Sequence, residues 1–116
     1  MKNALVTGGS GGIGAAICRR LAADGCHVYI HAHRGLQAAQ TLADAICAGG
    51  GSAQVLAFDV TDSTAVADVL TPLVEHQPIQ ILVNNAGIHD DAIPSNSILY
   101  IFRRFGNLVP RKIAGL

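Results

Sequence analysis

The stretch TGGSGGIG, residues 7–14, constrains the fold of this chain more than any other feature of its sequence. A short apolar run precedes it, and a run with apolar residues at every fourth position follows it. Glycines between two such runs are typical of a strand that turns directly into a helix. The stretch fits two spacings, G-x-G-x-x-G through Gly9, Gly11 and Gly14, and G-x-x-x-G-x-G through Gly8, Gly12 and Gly14. Both spacings place bare backbone amides at the start of the helix, where they favour an anion such as a phosphate.

Two other interpretations of this glycine-rich stretch compete with a dinucleotide-binding loop. A Walker-type loop is excluded, because no Lys-Ser or Lys-Thr pair follows the glycines. A tight turn that merely packs the helix on the strand remains open. A second apolar run that ends about 20 residues further on favours a dinucleotide-binding unit over that turn.

The alternation of strand and helix continues along the chain. Continuous apolar runs predict four strands, at residues 3–7, 27–32, 53–58 and 79–83. Helical spacing of apolar residues predicts a helix between each pair, the third starting at a Thr61-Asp62 cap and disturbed near its end by Pro72. Apolar runs without alternation are typical of a parallel sheet that is covered on both faces. We therefore predict an α/β fold with a three-layer parallel sheet of about four strands in the order 3-2-1-4.

The composition changes after Ala92. Residues 93–116 hold three of the five aromatic residues, four of the eight basic residues and no acidic residue, so their net charge is +4 and that of residues 1–92 is −4. We recognise no further strand–helix unit there, and we expect the fourth strand to be an edge of the sheet. The prediction is a partial domain at residues 1–92 and a divergent basic and aromatic tail at residues 93–116.

Composition also limits the location and partners of the protein. The overall net charge is zero, which gives no indication of nucleic-acid binding. We expect no secretory signal, because Met1 leads straight into the first predicted strand and the glycine loop. We expect no membrane span, because no apolar run approaches the length that one requires. Three cysteines without a C-x-x-C pair indicate reduced thiols, and Cys18 and Cys47 are expected to be buried on helices. These features predict a cytoplasmic protein.

Three motifs, in order along the chain, carry a resemblance to a known family. TGGSGGIG at residues 7–14, FDVTD at residues 58–62 and NNAG at residues 84–87 resemble the N-terminal half of the short-chain dehydrogenase/reductases. The resemblance covers residues 1 to about 92 and is greatest to 3-oxoacyl-acyl-carrier-protein reductases of fatty acid biosynthesis. It implies a Rossmann-type NAD(P)-binding fold and the register of Gly8, Gly12 and Gly14, with the other spacing a by-product of Gly9 and Gly11.

The resemblance also implies a role for each matched residue. The cofactor diphosphate and its adjacent ribose would be surrounded by Gly8, Ser10, Gly11, Gly12, Ile13 and Gly14. Asp59 and Val60 would contact the adenine. A ribose would lie above Asn85, Ala86 and Gly87, and the asparagines of NNAG would tie the fourth strand to its neighbours. From the residues alone, a helix cap at Asp59 and a turn at the asparagines remain alternatives.

The end of the second predicted strand indicates which dinucleotide is bound. Residues 30–34, IHAHR, include no acidic residue for the ribose 2′-hydroxyl of NAD(H). Arg34 offers paired donors for the 2′-phosphate of NADP(H), and a protonated His33 adds to them. We predict that NADP(H) is bound in preference to NAD(H). Two observations stand against this prediction: Gly11 occupies a position where many NADP-using relatives carry a basic residue, and Arg34 could simply be a solvated residue at the end of a strand. His31 and His33 lack a third ligand nearby, so no metal site is predicted.

No catalytic residue is predicted. The resemblance implies carbonyl reduction with a Tyr proton donor, a Lys four residues later, a Ser and an Asn. Tyr-x-x-x-Lys does not occur in these 116 residues. Tyr100, with Arg104 four residues later, follows Gly87 too closely for a strand and crossover between them.

We therefore expect a truncated, catalytically incompetent form of an NADP(H)-dependent oxidoreductase, which leaves the family's sequence after residue 92 by a frameshift or early stop. It would keep the cofactor-binding half of relatives that reduce a 3-oxoacyl thioester or similar carbonyl, and it would lack the family's oligomerisation surface. The alternative is a non-enzymatic module that binds nucleotide weakly or contacts a partner or membrane surface through its basic tail.

Overall fold

The computed structural model describes residues 1–85 and, for the backbone alone, residues 112–115. Strands and helices alternate through the first of these ranges, and one further strand lies in the second. The elements are β1 (Asn3–Val6), α1 (Gly12–Ala23), β2 (His27–Ala32), α2 (Leu36–Ala48), β3 (Ser52–Ala57), α3 (Ser63–His76), β4 (Ile81–Asn84) and β5 (Lys112–Gly115).

The described strands form one parallel sheet in the order β3-β2-β1-β4-β5. The predicted α/β fold and the order 3-2-1-4 are confirmed. The prediction that β4 is an edge is wrong, because β5 pairs with it from Ile81 opposite Lys112 to Asn84 opposite Gly115. Four residues are too few to show a period in the sequence, and they become a strand by hydrogen-bonding to the otherwise unpaired side of β4.

Both faces of the sheet are covered, which explains the continuous apolar runs. Neighbouring residues of a strand point to opposite faces. On one face Leu5 lies in a buried cluster with Leu70 and Val74 of α3. On the other face Val6 lies in a second cluster that includes Leu42 of α2. The central strands are therefore sandwiched between helices, and their carboxyl ends form one edge of the molecule.

The start of β4 and the end of α3 each have a physical explanation. Ile79 is buried, but β4 pairs with β1 only from Ile81 onward, so burial extends further than the strand. Pro72 does not end α3, which continues for another turn. Pro72 and Asp68 are both exposed, so the carbonyl that loses its helical partner to the proline lies on the solvent side.

The three thiols are free, but their accessibility differs. Cys18 is buried, and burial raises its pKa to about 12. Cys26 is buried as well, whereas Cys47 is exposed, so the expectation that Cys47 is buried is wrong. Cys47 follows Ile46, which faces the sheet, and the helical turn carries it away from that face.

We expect Ellman's reagent to label Cys47 rapidly in the folded protein, because a thiol reacts as the exposed thiolate. Cys18 and Cys26 are expected to react only after urea is added. A Cys47→Ser variant is the matched control and should show almost no rapid labelling. Rapid labelling of that variant without denaturant would contradict the packing of α1 against the sheet.

Candidate dinucleotide-binding site

The loop that joins β1 to α1 lies over the ends of the neighbouring strands. The N–H of Gly9 donates to the carbonyl of His31 at 2.9 Å, and the N–H of Thr7 donates to the carbonyl of Val83 at 3.0 Å. Gly8 has a φ of 63°, a conformation that favours glycine over residues with a side chain. The loop is therefore fixed to β2 on one side and to β4 on the other.

α1 begins without a capping side chain. Its N-cap residue is Gly11, its first turn holds no acidic residue, and its first backbone bond runs from the Ala15 N–H to the Gly11 carbonyl at 2.7 Å. The three amides before Ala15 therefore have no partner within the helix. By contrast, α3 has a cap of its own, because Asp62 accepts two backbone N–H bonds of 3.1 Å. The start of α1 offers bare donors and the positive end of the helix dipole to an anion.

The space around the glycines shows what each one does. A Cβ atom at Gly14 would lie 2.3 Å from the Gly8 carbonyl oxygen, so no side chain fits there. A Cβ at Gly12 would meet no described atom within 4 Å. Gly9, which we expected to match its spacing by coincidence, also has no room, because a Cβ would lie 2.9 Å from the side chain of Ile30. Packing requires Gly9 and Gly14, whereas Gly12 leaves open space over the amides.

A cavity of about 850 Å³ opens at the start of α1, at the carboxyl ends of the strands. Every predicted cofactor residue within residues 1–85 lines it, namely Gly8, Ser10, Gly11, Gly12, Ile13, Gly14, His33, Arg34, Asp59, Val60 and Asn85. The remaining two predicted residues, Ala86 and Gly87, lie outside the described residues. His31, Ala32 and Gly35 complete the lining, and no motif of the sequence indicates them as cofactor residues.

Asp59 provides an oriented negative charge at this cavity. The hydroxyl and the backbone N–H of Thr61 donate to its Oδ1 at 2.7 and 2.9 Å, and these bonds hold the pKa of Asp59 below its usual range. Its other oxygen, Oδ2, lies 3.9 Å from Nε2 of His33. The alternative that Asp59 caps a helix is wrong, since the cap of α3 is Asp62.

Two asparagines at the end of β4, Asn84 within the strand and Asn85 directly after it, tie the strand to the loop. The Thr7 hydroxyl donates to Oδ1 of Asn84 at 3.2 Å, and Nδ2 of Asn85 donates to the Gly8 carbonyl at 3.0 Å. The predicted tie between the fourth strand and its neighbours is confirmed. Oδ1 of Asn85 is buried and has no hydrogen-bond partner among the described residues. A buried acceptor beside a cavity is a position at which a bound ligand can donate a hydrogen bond.

Residues 1–85 and 112–115 hold neither a metal-binding cluster nor a helix that could cross a membrane. No three His, Cys, Asp or Glu residues lie together there as a metal-ion site would require. Both ring nitrogens of His31 already have partners in the protein. Within the same ranges, no helix combines the length and hydropathy that crossing a bilayer demands.

The sequence was compared with protein-family models and with curated proteins. A model for short chain dehydrogenases matches residues 2–99. YgfF of Escherichia coli, named an uncharacterized oxidoreductase, is 44% identical over 89 residues, which are 76% of this chain and 36% of YgfF. The 3-oxoacyl-[acyl-carrier-protein] reductase MabA of Mycobacterium tuberculosis is 46% identical over 92 residues, which are 78% of this chain and 32% of MabA. The chain thus spans about a third of the length of these relatives.

Solved structures agree with this comparison. A short chain dehydrogenase from Burkholderia cenocepacia in complex with NADP matches with a TM-score of 0.67 and 39% identity, over 93% of this chain and 47% of that one. A metagenomic short-chain oxidoreductase in complex with NADP matches with a TM-score of 0.74 and 27% identity, over 92% of this chain and 56% of that one. The family model covers most of the chain, and the uncapped glycine loop stands at the carboxyl edge of the sheet, so this protein belongs to the short-chain dehydrogenase family.

Proposed function

We propose that residues 1–92 are the cofactor-binding half of a short-chain dehydrogenase/reductase and bind NADP(H) in the cavity at the start of α1. One observation carries the proposal: the predicted residues within the described range all line a single cavity around an uncapped helix N-terminus. When bound, NADPH supplies the hydride with which such enzymes reduce a carbonyl. The residues of this chain would bind and orient that cofactor.

The glycine loop would hold the diphosphate. Its first helical amides lack partners within α1, and the open space at Gly12 allows an anion to approach them closely. The buried Oδ1 of Asn85 would accept a hydrogen bond from a ribose hydroxyl. These features together fit a dinucleotide, which has a diphosphate between two riboses.

The opposite end of the cavity would hold the adenosine. Asp59 remains ionised because of its bonds from Thr61, and it would accept from the amino group of the adenine. Arg34 and His33 line the same cavity, with Nε2 of His33 3.9 Å from Oδ2 of Asp59, and would bind the 2′-phosphate that distinguishes NADP from NAD. The two NADP complexes among the structural relatives support this choice.

The cofactor preference is tested by calorimetric titration with NADP⁺ and NAD⁺. We expect NADP⁺ to bind about ten times more tightly, and Arg34→Gln to remove that advantage while leaving NAD⁺ binding unchanged, because a charge-assisted bond to phosphate contributes about 1.5–3 kcal/mol. Arg20→Gln is the matched control, since Arg20 is exposed on α1 and pairs only with exposed Asp24 in the described structure. Equal affinity of the unmodified protein for the two dinucleotides would contradict the preference.

We also propose that residues 1–116 alone do not reduce a carbonyl, because the sequence has no Tyr-x-x-x-Lys to donate the proton. The likeness to MabA favours a 3-oxoacyl thioester or similar carbonyl as the substrate class of the family activity. Purified protein mixed with NADPH and an acetoacetyl thioester is expected to leave the nicotinamide absorbance unchanged. Steady NADPH oxidation, with no contaminating reductase detected by mass spectrometry, would contradict this proposal.

The location and the tail remain hypotheses from the sequence. The three free thiols support a reducing, cytoplasmic environment. The basic residues Arg103 and Arg104, on which the alternative of a partner-binding or membrane-surface tail depends, lie outside the described residues. Liposome co-sedimentation with and without both arginines tests that alternative.

A further inference from the structure

We propose that His31 is a positioning residue of the dinucleotide site, whose neutral ring holds the glycine loop where its amides can meet the cofactor diphosphate. The inference rests on the function proposed above and adds to it a residue that acts through the loop. No motif of the sequence assigns this role to His31.

The ring of His31 connects three segments of the site. It is 2% exposed and belongs to β2. Its Nδ1 lies 2.9 Å from the Gly8 N, and its Nε2 lies 2.7 Å from the carbonyl oxygen of Phe58, directly after β3. The rings of His31 and Phe58 also pack with their centres 4.2 Å apart. The side chain thus joins the glycine loop to the ends of two strands.

These bonds require one protonation state of the ring. A carbonyl oxygen can only accept, so Nε2 carries the proton and donates to Phe58. A backbone N–H can only donate, so Nδ1 is unprotonated and accepts from Gly8. Burial lowers the pKa of His31 and so favours the neutral ring. The nearby His33 lowers this pKa further, whereas the hydrogen bond to Phe58 and the charge of Asp59 act to raise it. A doubly protonated ring would direct an N–H at the N–H of Gly8 and break the contact.

Gly8 transmits the position of His31 to the phosphate-binding amides. Its carbonyl accepts from Nδ2 of Asn85 at 3.0 Å and from the N–H of Gly11, the N-cap of α1, at 3.4 Å. The backbone of Gly14 lies so close to this carbonyl that a Cβ there would be 2.3 Å from it. A displacement of Gly8 therefore moves the first turn of α1, where the diphosphate would lie.

Two substitutions separate the ring's contacts. In His31→Asn, the amide oxygen branches from Cγ as Nδ1 does and can still accept from Gly8, whereas His31→Leu offers no acceptor. At about pH 7.5 we expect the His31→Leu variant to bind NADP⁺ about tenfold more weakly, because the buried N–H of Gly8 is left without an acceptor. The His31→Asn variant should lose less than about threefold in affinity. Adenosine 2′-monophosphate, which has no diphosphate for the loop, should bind both variants as it binds the unmodified protein.

The pH dependence gives a readout that general destabilisation would not produce. As the pH falls from about 7.5 to the acid limit of the folded protein, NADP⁺ affinity should fall more in the unmodified protein than in His31→Asn, because only the former has a ring at position 31 that becomes protonated. The lowered pKa of His31 places this loss below the usual range of histidine. His33, Asp59 and the cofactor phosphate are present in both proteins, so the comparison isolates the ring at position 31. This comparison remains valid if His31→Leu does not fold, which urea unfolding of each variant establishes.

The outcomes are distinct. The positioning role is supported if the unmodified protein and His31→Asn both bind NADP⁺ more tightly than His31→Leu does, and if pH affects His31→Asn less than the unmodified protein. Three results would overturn it while leaving the proposed function intact. They are a folded His31→Leu variant that binds NADP⁺ as tightly as the unmodified protein, equal losses of affinity for NADP⁺ and adenosine 2′-monophosphate, or identical pH profiles for the unmodified protein and His31→Asn. Failure of the unmodified protein to bind NADP⁺ at any pH would refute the proposed function, and the positioning role with it.

Discussion

Replacing Gly14 by alanine is expected to lower the free energy of unfolding by about 3 kcal/mol, at the upper end of what an added carbon costs in a packed interior. The new Cβ would lie 2.3 Å from the Gly8 carbonyl oxygen and 2.8 Å from the Gly9 Cα, which are backbone atoms. They cannot move aside easily, because Gly8 is held by His31 and Asn85. Urea unfolding followed by circular dichroism measures the loss.

Gly12→Ala is the matched control for this prediction. Both positions lie in the first turn of α1, where alanine normally stabilises a helix by up to about 1 kcal/mol relative to glycine. A Cβ at Gly12 meets no described atom within 4 Å, so stability should be unchanged or slightly raised. Its NADP⁺ affinity should nevertheless fall about tenfold, because the methyl occupies space over the amides. Equal stability of the two variants would contradict the packing of Gly14 against Gly8.

Replacing Leu70 by alanine is expected to lower the free energy of unfolding by about 2–5 kcal/mol, the usual cost of a cavity left by a buried leucine. Leu70 is fully buried on α3, and it lies in the cluster that covers one face of the sheet with Leu5 and Leu82. Because a small domain has little stability to lose, a change of this size should leave a considerable fraction of the chain unfolded at 37 °C.

Leu36→Ala removes the same atoms from a partly exposed position. Leu36 is the first residue of α2 and is 42% exposed, so its replacement should cost less than about 1 kcal/mol. The midpoints of urea unfolding for the two variants and the unmodified protein give the comparison. Similar midpoints for Leu70→Ala and Leu36→Ala would mean that α3 does not cover the sheet as described.

Local patterns in the sequence, and the family resemblance that they carry, indicated most of the residues that line the cavity. The glycine spacing located the turn from β1 into α1, and the resemblance carried by FDVTD and NNAG pointed to Asp59 and Asn85. Parallel strands place their carboxyl ends at one edge, so residues that follow different strands come together there. This general rule explains why residues so far apart in the chain line one cavity.

Three features could not be predicted because they depend on distant contacts. β5 is four residues long and exists as a strand only through its pairing with β4. Gly9 is restricted by the side chain of Ile30 on another strand. The ring of His31 contacts Gly8 and Phe58, which lie on two other segments, and only folding brings the three residues together.

The amino-acid sequence by itself determined the parallel sheet, its order through β4, and the glycine loop at the start of α1, because these follow from periodicity and from which residues tolerate a tight turn. Only the tertiary structure decided the protonated nitrogen of His31, the tight packing of Gly9 and the outer strand β5. Each of these depends on the atoms that a residue meets across the sheet, and strand pairing selects those atoms only once the chain has folded.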